Sequence, residues 1–370
     1  MKSFDVAVRG DGVVARALAL ALARQGLAVA LPMAADAVPA AREDIRAYAL
    51  NAASIRLLGE LKVWDRLPAD SRTPVYDMRI EGDAAGASLA FSAWQQRVGE
   101  LAWIVDAAAL LAQLAIAVRN APQIGITAQT VPAPLVALAE GRGSAAREAL
   151  GVNFETHDYS QQAIAARLVA DCDHQGIARQ WFRSPDVLAL LPFDRPRSRR
   201  SYALVWSLPD EPARSLLDVD AAGFEAELAR ATHGAAGTLA LASERHGWPL
   251  ALARADRVCG AGWVLLGDAA HVVHPLAGQG LNMGLADVAS LARVVAAREP
   301  WRGLGDERLL RRYARDRAAA TRAMGLLTDA LLRLFAAQAP WLEELRNRGL
   351  TLVNHASPIK RWLVARALDS

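Results

Sequence analysis

The segment Gly262-Trp263-Val264-Leu265-Leu266-Gly267-Asp268-Ala269-Ala270-His271 reads as a buried strand running into a glycine turn, with the Asp268 carboxylate directly after the strand. A carboxylate there can accept hydrogen bonds from a sugar-like polyol such as ribityl. His274-Pro275-Leu276-Ala277-Gly278-Gln279-Gly280-Leu281-Asn282-Met283-Gly284 follows and sets three glycines around the start of a long helix. Bare backbone can approach a flat ring closely there, and a helix N-terminus stabilises negative charge on it. Taken alone, Asp268 could equally cap a helix. His271 and His274 could be structural or catalytic, and without a third ligand in sequence reach they do not suggest a metal.

A second glycine turn lies at the N-terminus. Val8-Arg9-Gly10-Asp11-Gly12-Val13-Val14-Ala15 gives G-x-G-x-x-A between a strand-like and a helix-like segment, the context of a dinucleotide fingerprint. Gly10 permits the tight turn, Gly12 lets backbone approach a pyrophosphate, and Ala15 lets helix pack on strand. The helix N-terminus supplies free N–H groups to the phosphates. Glycines also serve ordinary turns, and two details run against the cofactor reading. Asp11 adds a negative charge within the turn, and Leu31-Pro32-Met33 offers no acid for a ribose, Asp36 being the nearest.

Gly267-Asp268-Ala269-Ala270-His271, Pro275 and Gly278-Gln279-Gly280-Leu281-Asn282-Met283-Gly284 resemble the FAD-binding signature of the para-hydroxybenzoate-hydroxylase-like flavoprotein monooxygenases. The resemblance implies that Asp268 contacts the ribityl chain, that Pro275 lies against the flavin ring, and that residues 280–283, including Gly280, Leu281 and Asn282, face its pyrimidine edge beside Gly278. Asp44-Ile45-Arg46-Ala47-Tyr48-Ala49-Leu50-Asn51 with Ser54 is similar to the family's D-x-R-x-x-A-L-N-x-x-S segment, which implies that Arg46 helps hold FAD. A solvated helix-start arginine is the alternative. Asp158-Tyr159-Ser160-Gln161-Gln162-Ala163, Ala178-Arg179-Gln180-Trp181-Phe182, Leu188-Ala189-Leu190-Leu191-Pro192 and Leu345-Arg346-Asn347-Arg348-Gly349-Leu350 sharpen the resemblance to the ubiquinone-biosynthesis hydroxylases.

That family implies an α/β fold: a GR2-type, Rossmann-like FAD-binding domain, an antiparallel β-sheet substrate domain and C-terminal helices. It also implies FAD, NADPH or NADH as electron donor, dioxygen, and a polyprenyl phenol whose ring is hydroxylated. The hard chemistry belongs to the cofactor, so the protein must close an apolar pocket over the flavin and exclude water. No residue stands out as a proton-transfer catalyst. Tyr159 and Gln161 are either substrate-lobe contacts or ordinary strand residues.

These motifs need particular elements to hold them. Residues 4–8 read as a short strand, 13–25 as a helix with Val14, Leu18 and Leu22 on one stripe, and 28–31 as a second strand. Residues 163–169, 177–182, 187–191 and 202–207 read as an antiparallel meander separated by turn residues. Helical patterns follow at 281–297, 308–335 and 340–348 and around Trp362, with Arg and Glu marking solvent faces. We expect FAD-binding pieces at 1–75, 101–150 and 252–300, substrate pieces at 76–100 and 151–251, and a helical region at 301–370.

With 370 residues the chain is long enough for two lobes. Its 42 Lys and Arg against 39 Asp and Glu, a net charge of +3, are no nucleic-acid signature. Arg195, Arg197, Arg199 and Arg200 read as a solvated loop, with an anion patch as the alternative. Cys172 and Cys259 stand far apart, which fits a reducing cytosol, and neither a leader nor a spanning helix is visible. Trp341, Leu345, Leu350, Leu352, Trp362 and Leu363 beside Arg and Lys form an amphipathic set that either packs on the core or touches the inner face of the cytoplasmic membrane.

Departures from the family lie on the adenosine side. Besides Asp11 and Met33, the A-D-G-x-x-S-x-x-R segment reads Ala139-Glu140-Gly141-Arg142-Gly143-Ser144-Ala145-Ala146-Arg147, so Glu140 carries one methylene too many. Residues 124–138 are short, and Pro132 and Pro134 predict an edge or loop over 127–136 where a hairpin is lost. The alternative to an enzyme is therefore a degenerate paralogue with weak or no FAD binding, serving as a structural partner in a quinone-biosynthesis complex. A hydroxylase of a different apolar aromatic is a third reading.

Overall fold

The computed structural model describes residues 3–33, 44–82, 88–129, 131–183, 185–273 and 279–336, with the backbone alone at 279, 320 and 323–336. The opening βαβ unit forms as the sequence predicts: strand Val6–Arg9, helix Val13–Ala23, strand Val29–Pro32, with the strands parallel in the register Val6↔Val29. They belong to a six-stranded sheet in the order Cys259–Gly260, Trp263–Leu265, Leu135–Leu138, Val6–Arg9, Val29–Pro32, Ile124–Thr127. Helix Val13–Ala23 is buried at every position except the half-buried Val14, which the predicted single stripe did not anticipate. Helices Ala107–Arg119 and Gln279–Ala296 pack against it as well as the sheet, and its alanines let them come close.

The proline-bearing segment divides differently from the expectation. Pro132 and Pro134 do lie outside any strand, but Leu135–Leu138 is a central strand between Val6–Arg9 and Trp263–Leu265, so Val136 is no edge residue. The prolines end where ladder hydrogen bonds are first needed. Ile124–Thr127 is the edge.

The predicted meander is the centre of a nine-stranded sheet, where Phe154–Ala170, Ser201–Pro209, Asp186–Phe193 and Ile177–Arg183 pair antiparallel in that order. It extends through His246–Ala255 and His271–Val272 on one side and Asp77–Glu81 and Ser88–Ser92 on the other. Ile177–Arg183 and Asp77–Glu81 run parallel, a departure from the purely antiparallel expectation. Helices Asp210–Asp218 and Ala221–Thr232, which the sequence reading did not identify, cover one face through Phe224 and Leu228 packed near Trp206 and Leu204. The other face looks toward a small antiparallel sheet of Ala47–Leu50, Ala102–Asp106 and Arg72–Val75.

Helices Gln279–Ala296 and Glu307–Ala336 match their predicted positions. The arginine-rich loop is solvated but paired: Arg195 makes a two-point contact with Asp70, and Arg199 pairs with Asp173. The predicted helices at 340–348 and around Trp362 lie outside the described residues, as does the whole amphipathic set.

Candidate active site

Gly10 sits at φ +114°, and a Cβ there would stand 2.2 Å from the Ala139 carbonyl oxygen. Only glycine lets the first strand turn this tightly against strand Leu135–Leu138. Gly12 is the N-cap of helix Val13–Ala23 without any side-chain cap, and a Cβ on it would meet nothing within 4 Å. The helix thus presents bare N–H groups across open space, which fits a pyrophosphate. Ala15 is fully buried beneath the turn. Asp11 is exposed and borders the same space, while burial lowers the nearby Arg16 guanidinium below its ordinary value against the opposing pull of the Asp11 charge.

Glu140 does not hang free with its extra methylene. It accepts from Arg9 Nε at 2.8 Å, Ser144 Oγ at 2.6 Å and the Ala146 N–H at 3.4 Å. Ser144 caps the short helix Ala145–Ala149. Arg147, buried on the Phe154 ring, donates to the carbonyls of Ala269 at 3.2 Å and Arg142 at 2.9 Å. This segment is therefore tied to the turn after strand Trp263–Leu265.

That turn is held from behind. Gly267, at φ +57°, donates its N–H to Asp287 Oδ2 at 2.9 Å. The same oxygen lies 2.8 Å from His271 Nε2, and Arg317 Nε donates to Asp287 Oδ1 at 2.7 Å. Asp287 is fully buried and His271 nearly so. Burial pushes the Asp287 carboxyl up, but the charge and hydrogen bond of His271, then Arg317 and the Gly267 N–H, outweigh it and hold it below the usual value. Burial alone would lower His271, and Asp287 reverses this and raises it. His271 and Asp287 thus brace each other behind the turn. Arg317 contradicts the expectation that arginines on the last helices mark solvent faces, because it turns inward to the buried acid.

Val14 joins the two glycine motifs. A Cβ on Gly284 would come within 2.7 Å of Val14 Cγ2, and one on Gly267 within 3.4 Å. A third motif docks through Asn282, whose Oδ1 accepts from the Asn51 N–H at 3.1 Å and Ser54 Oγ at 2.7 Å while its Nδ2 donates to the Ala49 carbonyl at 2.8 Å. Asn282 is buried and occupied by these contacts. Asn51 also caps helix Ala52–Glu60.

Arg46 makes a two-point contact with Asp44 at 2.8 Å, and this pairing keeps it firmly protonated, with Tyr48 and Asp268 adding to the effect. Its own carbonyl accepts from the buried Arg167, which also reaches Asp106, the cap of helix Ala107–Arg119. Asp268 borders the open pocket, where water reaches it, yet it is recessed enough that desolvation pushes its carboxyl up against the pull of His271, Arg46 and Arg142.

The two glycine turns, together with Asp44, Arg46, Glu140 and Asp268, border one cavity of about 750 Å³. Its lining combines Gly10, Gly12, Arg46, Tyr48, Glu140, Gly267, Asp268, Gly280 and Leu281 with an apolar set that includes Ile104, Met78, Ile80, Phe182, Leu191 and Val205. Tyr159 and Gln161 do not border it. Pro275, Gly278 and His274 lie outside the described residues. A second cavity of about 800 Å³, lined by Arg254, Arg257 and Arg311, lies behind the His271 and Asp287 wall, and the glycine motifs do not converge on it. Among the described residues no group of His, Cys, Asp or Glu could hold a metal.

A mostly parallel sheet with two glycine turns opening into one cavity, which a mostly antiparallel sheet also borders, is the arrangement a flavin-dependent monooxygenase needs. The model of an FAD binding domain family matches residues 116–326. Ubiquinone hydroxylase UbiL of Rhodospirillum rubrum is 33% identical, across 100% of this chain and 90% of that protein. The 3-demethoxyubiquinol 3-hydroxylase of Escherichia coli is 30% identical, across 98% of each. Among solved structures, Klebsiella pneumoniae HpxO complexed with FAD and uric acid shares the fold at a TM-score of 0.74 and 17% identity, covering 98% of this chain and 97% of that one. The chain belongs to the ubiquinone-biosynthesis hydroxylases of the FAD-dependent monooxygenase family. Its cofactor is FAD, with NADH or NADPH as donor.

Proposed function

We propose that this enzyme hydroxylates the aromatic ring of a prenylated phenol, an intermediate of ubiquinone biosynthesis. The observation that carries this reading is the continuity of the cavity from the bare helix N-terminus at Gly12, past Asp268, into an apolar chamber. Gly10, Gly12 and Ala15 form the seat for the pyrophosphate, Asp268 and Arg46 hold the ribityl side, and Gly280, Leu281 and Asn282 shape the ring end. Pro275 and Gly278 join them on the strength of the family resemblance. When bound, FAD reduced by the nicotinamide donor supplies the electrons that let one atom of dioxygen enter the ring. The chain's part is to seat the phenol in a dry chamber walled by Ile104, Phe182, Leu191 and Val205. Both the two-lobed division of the chain and a polyprenyl tail running out to a membrane surface fit this reading; no described helix is long and apolar enough to cross a membrane.

Nothing in the site favours the degenerate alternative: Glu140 is seated and the approach to Gly12 is open. The test is the absorbance spectrum of the purified protein with and without added FAD, followed by NADH or NADPH oxidation in the presence of a short-chain 2-prenylphenol. A flavin spectrum and a product one oxygen atom heavier are expected. A protein that takes up no FAD sinks the proposal.

A further inference from the structure

Arg46 borders the cavity, and its backbone is anchored from outside it. Its side chain and its N–H both turn back to Asp44, two positions away, so the ion pair travels with its own short segment. That segment is tied down through the Arg46 carbonyl, which accepts from the Ala107 N–H at 3.1 Å and from Arg167 Nη2 at 2.8 Å, and through the paired strand Ala47–Leu50 that follows. Ala107 opens helix Ala107–Arg119. Arg167 comes from strand Phe154–Ala170 of the nine-stranded sheet, in a row with Ala203 and Leu191, and Leu191 is a wall of the cavity. The Arg46 backbone is thus clipped to the sheet that walls the substrate chamber.

The clip is a demanding one. Arg167 is buried, its guanidinium lies 4.0 Å from the Phe193 ring centroid, and Nη2 also reaches Asp106 Oδ2 at 3.4 Å. A buried guanidinium needs an anion nearby, and Asp106 meets that need while its other oxygen caps helix Ala107–Arg119. Serving Asp106 does not account for the geometry, however. Arg195 Nη1, 4.0 Å from the same carboxylate oxygen, already brings it a positive charge, and the shorter bond of Arg167 goes to the neutral carbonyl. A charged donor makes that bond stronger than an ordinary one. The charge is felt at the next link as well: burial pushes the Asp44 carboxyl up, and the Arg46 contact, with the Arg167 charge behind it, brings it below its usual value. We propose that Arg167 is a positioning residue for the flavin: through the Arg46 carbonyl it sets where the Arg46 guanidinium stands in the cavity, and so ties flavin seating to the sheet that walls the substrate chamber. This rests on the reading of Arg46 as a flavin contact.

The experiment is a double-mutant cycle. FAD affinity is measured by titrating the FAD-free full chain for wild type, Arg46→Met, Arg167→Met and the double variant, with denaturant unfolding of the same four proteins alongside. Arg46→Met should weaken FAD binding about tenfold or more, and Arg167→Met about three- to tenfold. Once the Arg46 guanidinium is gone Arg167 has nothing left to position, so the double variant should bind FAD within about twofold of Arg46→Met alone. A merely structural arginine would instead lower stability and leave affinity within about twofold of wild type, or its loss would multiply with that of Arg46→Met, and either result overturns the inference. Wild-type affinity in Arg46→Met overturns the reading of Arg46 itself and takes this inference with it. Arg167→Lys keeps a charge beside Asp106 but loses the planar stack on Phe193. It should fall between wild type and Arg167→Met, and it runs through the same cycle, with the same deciding results, if Arg167→Met does not fold.

Discussion

Around Gly267 the backbone is held by ionised side chains that water barely reaches, whereas around Gly10 it is held by shape. At the first site Asp287 collects a backbone N–H, an imidazole and a guanidinium from three places in the chain. At the second, a missing Cβ lets the turn rest on the Ala139 carbonyl, and the ion pair nearby, Arg9 with Glu140, is partly open to solvent. On the function proposed above, a cofactor laid across both ends would meet the braced turn at its ribityl side and the uncapped helix at its phosphates. The sequence departures cluster at the second end, where fit rather than a buried ion network carries the geometry. One methylene can be absorbed there, because Glu140 finds Ser144 and Arg9 instead.

The largest effect should come from the charged end. Asp287→Ala leaves His271 and Arg317 without their shared anion, and breaking a buried ionic network this way costs about 3–5 kcal/mol. Denaturant unfolding of the FAD-free protein measures it. A loss under about 1 kcal/mol would mean that the triad behaves as a surface pair and does not brace the turn.

The shape-held end predicts a split between its two glycines. Gly10→Ala forces a side chain onto φ +114° and into the Ala139 carbonyl, and should cost about 1–3 kcal/mol of apo-protein stability. Gly12→Ala meets no protein atom, so apo stability should move by less than about 0.5 kcal/mol. Its FAD affinity should nevertheless drop about tenfold or more, since the new methyl group occupies the approach to the helix N-terminus. Equal FAD affinity in Gly12→Ala and wild type would place the pyrophosphate elsewhere.

How much of this could be read from the chain depends on the range of the interaction. The glycine turns, the βαβ unit and the meander follow local rules of period and backbone freedom, and they stand where the sequence puts them. The residues bracing them do not announce themselves. Asp287 lies twenty positions beyond Gly267, and Arg317 thirty beyond Asp287, on helices whose charged residues resemble any solvent face. Asn282 looked like a flavin-edge residue, yet its side chain is spent on joining two other motifs through Asn51 and Ser54. Arg147 and Arg167 likewise act across more than a hundred positions.

A smaller effect should separate ligand binding from folding at the turn itself. Desolvation raises the Asp268 carboxyl, so the fold disfavours its ionised form. Asp268→Asn should therefore leave apo stability at neutral pH unchanged or slightly higher. If the carboxylate holds ribityl hydroxyls, FAD affinity falls about tenfold, some 1.4 kcal/mol. A variant that loses apo stability and keeps its FAD affinity would make Asp268 a structural cap instead.

The smallest effect is a pH dependence confined to the charged end. His271 faces Asp287 on one helix, Arg317 on the next and Asp268 on its own turn, and its pKa is raised above 6.5 in the folded protein. The stabilisation this represents is complete below pH 6.5 and is lost as pH rises through the folded value. Asp287 is shifted the other way, so its contribution is present above 3.8 and disappears only in acid. On the acid side Asp268 titrates in the opposite sense, and above pH 9 the half-buried Cys259 and the buried Tyr313, both raised by burial, begin to destabilise the fold as they ionise in the unfolded chain. Between pH 6.5 and 8.5 His271 lowers stability as pH rises, while His174, its pKa lowered by burial, acts in the opposite sense in every variant. Apo stability should therefore fall more steeply with pH in wild type than in His271→Gln, which keeps a hydrogen-bond donor near Asp287 but cannot titrate and should start lower. Parallel slopes in the two proteins would show that the imidazole is neutral when buried, and the charged brace would reduce to Arg317 alone.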